Sequence, residues 1–336
     1  MRLGEIGEFG LIERLGKMVA DSNILLNSGS NLILGIGDDA AVVNVEYNKQ
    51  LVTTDTLVEN VHFSHDYMSW RDLGWKSMVV NLSDIAAMGG KPTSAVVTLG
   101  LDTETRVEDV EELYNGILSA SSDYDCAIVG GDIVKSPVTF VTIAMMGSSR
   151  NDTTIMQRAT AKPGDLVGVT GFLGCSAAGL QILQSKQNIH DIPNWEHFVR
   201  AHLNPLPRLD LVDHLIGLGI NTSMDVSDGL AGDLSKLCKA SQVGAVINRL
   251  DIPMDEFMTS SFGEEECFEF ALNGGEDYEL IFTGSSVQVL NVLKLLGESA
   301  AIIGKIVEDS PGNVSVIDQT GTKSRYVSRN GWDHFS

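Results

Sequence analysis

Aspartates recur in short turn motifs along this chain of 336 residues. Each follows a strand-like run or opens a helix-like run, and several stand beside a glycine or a hydroxyl residue. The set comprises Asp38, Asp39, Asp55, Asp84, Asp132, Asp225 and Asp228. Any one of them alone is typical of a helix cap or a turn. Together they offer the hard oxygen ligands that Mg²⁺ prefers, so the set predicts a magnesium site.

The apolar residues around these aspartates support that prediction. Asp38 and Asp39 lie within LILGIGDDAAVV, and Asp132 lies within CAIVGGDIV. Such flanks place the carboxylates at the rim of a core, where an unpaired charge is costly. We therefore expect a compensating positive charge close to them.

Several common motifs for nucleotide binding and nucleophilic catalysis are absent from the sequence. Gly90-Lys91 and Gly304-Lys305 are followed by Pro and Ile, which excludes a P-loop. The segment GIGDDA (35–40) fits the glycine pattern of a dinucleotide site, but two carboxylates occupy the pyrophosphate position and a strand-like run follows. No G-x-S-x-G elbow occurs, so a hydrolase triad is not supported.

The composition limits the partners and the compartment. The chain has 23 Lys and Arg against 45 Asp and Glu, a net charge of −22, which argues against nucleic acid. Four cysteines are scattered singly, as is typical of reduced thiols. No secretion signal and no apolar run of membrane-spanning length is found, so we expect a cytoplasmic protein with no membrane partner.

The elements that would position these residues fall into two halves. In the first half, helix-like segments at 71–88 and 108–122 mix with strand-like runs, which favours an α+β domain. A polar stretch after Gly147 marks the expected boundary, giving domains 1–148 and 149–336. The second half begins with a strand at 165–170. It also contains helix-like segments and the strand-like runs 279–284, 301–307 and 314–318.

Six motifs, taken in order, resemble one family. They are TTDTLVENVHF (53–63), NLSDIAAMGG (81–90), GGD (130–132), DVSDGL (225–230), GGEDYEL (274–280) and GWDHF (331–335). Together they are similar to the thiamine-monophosphate kinases of the PurM-like superfamily of ATP-using enzymes. The resemblance implies a PurM-like N-terminal α+β domain with a mixed sheet, which would bind ATP and magnesium and pair with its counterpart in a homodimer. A PurM-like C-terminal α/β domain would close over the site and contact the substrate.

The resemblance also implies the role of individual residues. The expected magnesium ligands are Asp39, Thr53, Thr54, Asp55, Asp84, Asp132, Asp225 and Asp228. The expected ATP contacts are Tyr114, Gly131, Asp132, Arg158 and Ser227. The expected substrate contacts are His62, Glu276 and Trp332. Two points stay open: whether Asp38 reaches a metal, and whether Asp277 takes the place of Glu276.

The implied reaction is the transfer of a phosphoryl group from ATP to thiamine monophosphate, assisted by several Mg²⁺ ions. The acceptor phosphate is already mostly ionised at neutral pH, so no general base is expected. Arg158 is the candidate charge stabiliser. Two alternatives remain open: an ATP-dependent synthetase of the aminoimidazole ribonucleotide type, and a non-catalytic acidic module that binds magnesium and nucleotide.

Overall fold

The structure, a computed structural model, describes residues 11, 14–22, 32–34, 42–43, 49–149, 155–185, 192–318 and 320–326. The chain divides into two compact units. The first unit contains Met1–Ile85 and Gly90–Thr153, and the second contains Ala86–Gly89 and Thr154–Ser336. No helix in the described ranges is both long enough and apolar enough to cross a membrane.

The first unit is built on a mixed four-stranded sheet. Its elements are β1 (Leu32–Leu34), β2 (Val42–Val43), β3 (Gln50–Val58), β4 (Gly90–Leu101), β5 (Ala127–Lys135), β6 (Phe140–Ser149), α1 (residues 14–21), α2 (Trp70–Ala87) and α3 (Val107–Asp123). The strand order is β3-β6-β4-β5, with β4 and β5 parallel and the other pairs antiparallel, and β1 and β2 form a separate antiparallel pair. The predicted mixed sheet is therefore confirmed.

Helix α2 is held against α3 by a very close contact between two backbones. A Cβ atom on Gly74 would lie 1.9 Å from the carbonyl oxygen of Leu113, and one on Gly116 would lie 2.0 Å from that of Arg71. Only glycine permits such an approach. The contact fixes the position of the helix that carries Asp84.

The second unit is built on a seven-stranded sheet that is mainly antiparallel. Its strands are β7 (Leu166–Thr170), β8 (Thr222–Asp225), β9 (Gly244–Asn248), β10 (Leu280–Gly284), β11 (Ala300–Val307), β12 (Val314–Ile317) and β13 (Lys323–Tyr326). Their order is β13-β12-β9-β11-β7-β10-β8, and only β12 and β9 are parallel among these described strands.

Seven α-helices accompany this sheet in the described residues. They are α4 (Cys175–Gln184), α5 (Trp195–Leu203), α6 (Leu209–Gly217), α7 (Leu230–Ala240), α8 (Glu256–Phe262), α9 (Glu264–Asn273) and α10 (Ser286–Leu296). The combination of helices and sheet in each unit confirms the α+β and α/β two-domain fold class. The sequence patterns did not predict α5, α8, α9, α10, β9 or β13.

The strand directions bring three loops to one edge of this sheet. Strand β10 lies between β7 and β8 and is antiparallel to both. The carboxyl ends of β7 and β8, at Thr170 and Asp225, therefore lie beside the start of β10 at Leu280. The motifs DVSDGL and GGEDYEL both reach this edge, which we call the acidic edge and define by residues 225–229 and 274–279.

Candidate functional site

Backbone hydrogen bonds join the two motifs of the acidic edge. The amide of Val226 donates to the carbonyl of Glu279 at 2.8 Å, and the amide of Tyr278 donates back to Val226 at 2.9 Å. The amide of Glu276 donates to the carbonyl of Ser227 at 2.9 Å. Two predicted contact residues, Ser227 for ATP and Glu276 for the substrate, thus lie on adjoining loops.

The loop before β10 has an unusual backbone that the sequence partly explains. Glu276 and Tyr278 both adopt positive φ angles, 67° and 53°. A Cβ atom on Gly275 would lie 2.4 Å from the carbonyl oxygen of Ser227, so no other residue fits there without a shift. The double glycine of GGEDYEL is thus explained by close backbone packing.

Asp228 is paired with a lysine that sequence reasoning missed. The Lys236 ammonium group donates to Asp228 and, at 2.8 Å, to Asp233. The second carboxylate oxygen of Asp233 accepts the amides of Ser227 at 2.9 Å and Asp228 at 2.8 Å. Asp233 therefore holds the turn that presents Asp228.

Burial and pairing act in opposite directions on the Asp233 and Lys236 pair. Burial raises the pKa of Asp233, and Lys236 only partly offsets this effect. For Lys236, burial would lower the pKa, but attraction to Asp233 and its hydrogen bond to Asp228 outweigh that effect and raise it. Lys236 thus stays protonated, and its positive charge compensates the negative charges of Asp228 and Asp233.

Asp277 caps a helix, and this observation bears on one alternative left open by the sequence. Its two carboxylate oxygens accept the amides of Gly174 at 2.7 Å and Ser176 at 3.1 Å, at the start of α4. Burial is the main cause that raises the pKa of Asp277 to about 7. Since both oxygens are engaged by the protein, the structure favours Glu276 over Asp277 as the residue that meets a ligand.

Glu279 forms a buried ion pair at the same edge. Arg208 donates to its two oxygens at 2.7 and 3.0 Å, and the Thr170 hydroxyl donates to it at 2.5 Å. Burial raises the pKa of Glu279 even though Arg208 lowers it. The ion pair joins the start of α6 to the start of β10, and the Thr170 hydrogen bond joins the end of β7 to the same carboxylate. Nothing in the local sequence around Arg208 points to this pair.

The predicted ligands of the first unit are partly brought together. The hydroxyl of Thr53 on β3 donates to the carboxylate of Asp84 on α2 at 2.5 Å. Asp55 lies two residues farther along β3 and so faces the same side of the strand. Thr54 lies on the opposite face, because side chains alternate along a strand.

Asp132 lies on the other outer strand of the same sheet. The register aligns Thr56, Thr142, Thr98 and Asp132 in one row across β3, β6, β4 and β5. Three strand spacings separate the ends of this row, about 14 Å. Asp132 and Asp55 therefore do not share one metal ion within the sheet of a single chain.

Gly131 and Tyr114 are both explained by packing. A Cβ atom on Gly131 would lie 2.1 Å from the carbonyl oxygen of Val97. With any side chain at this position, β4 and β5 could not lie as close together as they do. Tyr114 is only 6% exposed, on the buried face of α3. Burial raises the pKa of its phenol.

Arg158 lies away from the acidic edge of the second unit, and His62 belongs to the first unit. His62 follows β3, and its Nδ1 accepts the amide of Val58 at 3.1 Å, which places the proton of a neutral ring on Nε2. The carbonyl of Arg158 accepts from Ser241, at the carboxyl end of α7. Asp228 lies near the other end of that helix, about 16 Å away by helical rise.

Three candidate residues, Asp38, Asp39 and Trp332, lie outside the described residues. In the part of the chain that the structure describes, no three His, Cys, Asp or Glu side chains are grouped closely enough to hold a metal ion. The donors at Thr53 and Asp84 are nevertheless oxygen atoms, and with Asp55 they fit the preference of Mg²⁺.

The cap at Asp277 generates a test through the pH dependence of stability. Its folded pKa of about 7 lies above the value near 3.9 of an unfolded aspartate. The associated stabilisation is fully present below pH 3.9 and is lost as pH rises through 7. Relative to Asp277→Asn, the wild-type unfolding free energy should therefore fall between pH 4 and 7, by at most about 1.4 kcal/mol per pH unit.

Urea unfolding at several pH values measures this difference. Asp123→Asn is the matched control, because Asp123 is an exposed aspartate at the end of α3 in the first unit. A difference between wild type and Asp277→Asn that stays constant with pH would contradict the assigned burial of this carboxyl group.

Comparisons with known proteins identify the class of this two-unit fold. Residues 37–149 match the N-terminal domain of AIR synthase related proteins, and residues 162–317 match the C-terminal domain. The chain is 36% identical over 307 residues to the thiamine-monophosphate kinase of Synechococcus elongatus, covering 89% of this chain and 91% of that relative. The chain therefore belongs to the thiamine-monophosphate kinase family of AIR synthase related proteins.

Two solved structures have the same fold. The thiamine-monophosphate kinase of Stenotrophomonas maltophilia superposes with a TM-score of 0.78 at 30% identity, covering 89% of this chain and 94% of that one. A structure described as AaThiL complexed with AMPPCP and TMP superposes with a TM-score of 0.75 at 35% identity, covering 100% of this chain and 99% of that one.

Proposed function

We propose that this chain transfers a phosphoryl group from ATP to thiamine monophosphate, forming thiamine diphosphate. The observation that carries the proposal is the similarity along the whole chain to the structure described with AMPPCP and TMP. AMPPCP stands in for ATP, with a carbon in place of the oxygen between its last two phosphorus atoms. We take TMP in that structure to be thiamine monophosphate, in accord with the names of the relatives.

The chemistry requires positioning more than proton transfer. The second pKa of a phosphate monoester is about 6, so the acceptor oxygen is mostly ionised at neutral pH. The protein must hold two polyanions in line, and positioning with charge neutralisation supplies most of the catalysis in such reactions. Because the acceptor oxygen is already ionised, we assign no residue of the site as a general base.

We assign Mg²⁺ binding to Thr53, Asp55 and Asp84 in the first unit, where the Thr53 hydroxyl meets the Asp84 carboxylate. Bound Mg²⁺ would neutralise charge on the phosphate oxygens. Further proposed ligands are Asp39, Thr54, Asp132, Asp225 and Asp228. Lys236 compensates the charge of Asp228 in the described structure, so a cation at Asp228 would compete with Lys236.

The proposed nucleotide contacts are Tyr114, Gly131, Asp132, Arg158 and Ser227, with Arg158 as the charge stabiliser. The proposed substrate contacts are His62, Glu276 and Trp332. The thiazolium ring of thiamine carries a permanent positive charge, which a carboxylate at Glu276 would attract. These assignments place most of the proposed ATP and magnesium contacts in the first domain, 1–148. The second domain, 149–336, adds Arg158, Asp225, Ser227 and Asp228 and contributes Glu276 and Trp332 to the substrate contacts.

A direct assay tests the proposed function. The purified protein is incubated with Mg·ATP and thiamine monophosphate, thiamine or formylglycinamidine ribonucleotide, and both ADP and product are measured. Formation of thiamine diphosphate from the monophosphate alone is expected. Turnover of the ribonucleotide would favour the synthetase alternative, and nucleotide binding without turnover of any acceptor would favour the non-catalytic module.

Two carboxylate substitutions test the metal assignment. Asp55→Asn and Asp132→Asn should each lower kcat by about 100-fold or more, because each removes charge needed to bind the cation. Their unfolding midpoints should stay close to that of the wild type. Asp123→Asn, at the exposed end of α3, is the matched control. Near-normal rates in both variants would rule out these two assignments.

We also propose that the open face of the first sheet, formed by the even-numbered residues of β3 and their cross-strand partners, pairs with a second copy of the chain. Val52 on this face is 70% exposed within one chain. Its cross-strand partner Met146 is only partly buried, so the two side chains form part of an apolar patch, and contiguous apolar patches are typical of interaction surfaces. By the cross-strand register with Thr56, Asp132 lies on this same face.

The association state tests this pairing. Sedimentation should show a dimer for the wild type and a shift toward monomer for Val52→Asp, because a charge would be buried at the interface. Val287→Asp is the matched control, since Val287 is 71% exposed on the second unit. A monomeric wild type, or a Val52→Asp protein that remains fully dimeric, would contradict the assigned face.

A cytoplasmic location forms part of the same proposal. All four cysteines, Cys126, Cys175, Cys238 and Cys267, are free and buried. Unpaired cysteines are typical of proteins kept in a reducing compartment, which supports this location.

A further inference from the structure

A buried histidine contacts the carboxylate assigned to the substrate. His202 lies on α5, and its Nδ1 is 3.5 Å from Oε2 of Glu276. The same nitrogen is 3.1 Å from the hydroxyl oxygen of Ser176 on α4. The His202 side chain is 2% exposed, whereas that of Glu276 is 27% exposed. The histidine thus supports Glu276 from the protein interior, while Glu276 itself reaches solvent.

The two helices that hold His202 are in very close contact. A Cβ atom on Gly179 of α4 would lie 2.0 Å from the carbonyl oxygen of Phe198 on α5. The same Cβ atom would lie 3.1 Å from the Cβ of His202. Close packing of this kind restricts the histidine ring to one position, so it can orient a neighbouring group.

The contact has a preferred protonation pattern. A carboxylate oxygen repels the lone pair of an imidazole nitrogen and attracts a proton on it, so the contact favours hydrogen on Nδ1. The Ser176 hydroxyl can then accept from the same N–H group. The backbone of Glu276 has a φ of 67° in the loop after Gly275.

We propose that His202 is a positioning residue that, with Ser176, orients the carboxylate of Glu276 toward the thiazolium cation of the substrate. The proposal rests on the proposed function and on the assignment of Glu276 to the substrate. His202 itself does not touch the substrate in this account. Its effect on substrate binding depends on the carboxylate of Glu276. Substitutions of His202 and Glu276 should therefore be energetically coupled, and this coupling can be measured.

A double-mutant cycle measures this coupling. His202→Leu and Glu276→Gln are made singly and together, and KM and kcat are measured for thiamine monophosphate and for ATP. Each single change should raise KM for thiamine monophosphate about tenfold and leave KM for ATP within about twofold. The double variant should be no worse than Glu276→Gln alone, because His202 has no carboxylate left to orient.

A conservative variant and a control complete the design. His202→Asn keeps an N–H donor near the position of Nδ1 and should retain KM within about threefold of the wild type. His202→Gln places its amide near the position of Nε2 and should behave like His202→Leu; it also replaces His202→Leu in the cycle if that protein fails to fold. His197→Leu, on the same helix with a 48% exposed side chain, should leave both KM values unchanged.

Distinct results separate failure of this inference from failure of the proposed function. If the wild type forms no thiamine diphosphate, the proposed function fails and the inference falls with it. If the wild type is active but the two single effects add in the double variant, the inference alone is overturned. An equal rise of KM for ATP and thiamine monophosphate, or no effect of Glu276→Gln, would also overturn it.

Discussion

Carboxylate groups in this acidic chain must be brought together without uncompensated charge, and much of the second unit is arranged to meet that constraint. At the acidic edge, Asp233 is held by two backbone amides and Lys236. Asp277 accepts two amides at the start of a helix. Glu279 pairs with Arg208. Each group obtains hydrogen bonds that partly offset the cost of its burial, and together these bonds fix the loops that present Ser227, Asp228 and Glu276.

The first unit meets the constraint differently. Thr53 and Asp84 are joined by a hydrogen bond, while Asp55 lies on the same face of β3. Asp132 lies at the far side of the sheet, about 14 Å from the equivalent position on β3. This spacing agrees with binding of polyanionic substrates through more than one cation, and with a site extended across a paired surface.

The sequence predicted the fold class, but not the residues that hold the site in place. Asp55 and Asp132, expected to follow strands, lie within β3 and β5, because both strands continue past the apolar runs that predicted them. Asp84 lies within the predicted helical segment 71–88, but near the carboxyl end of α2 and not at the start of a helix. Arg208 and Glu279 are 71 positions apart, so their pairing depends on tertiary structure that no local pattern encodes. In contrast, the opposite orientation of Thr54 follows from strand alternation, and the burial of Tyr114 follows from helical periodicity beside Leu113 and Ile117. Both signals were present in the sequence.

Because the chain has a net charge of −22, we expect a bound cation to be essential for binding its anionic substrates. An acidic protein repels ATP and phosphorylated substrates unless a metal reverses the local field. Calorimetric titration of ATP into the intact protein, with Mg²⁺ present and then with excess chelator, tests this directly. We predict clear binding with Mg²⁺ and a loss of at least about 100-fold in affinity under chelation. Equal affinity under both conditions would contradict the account.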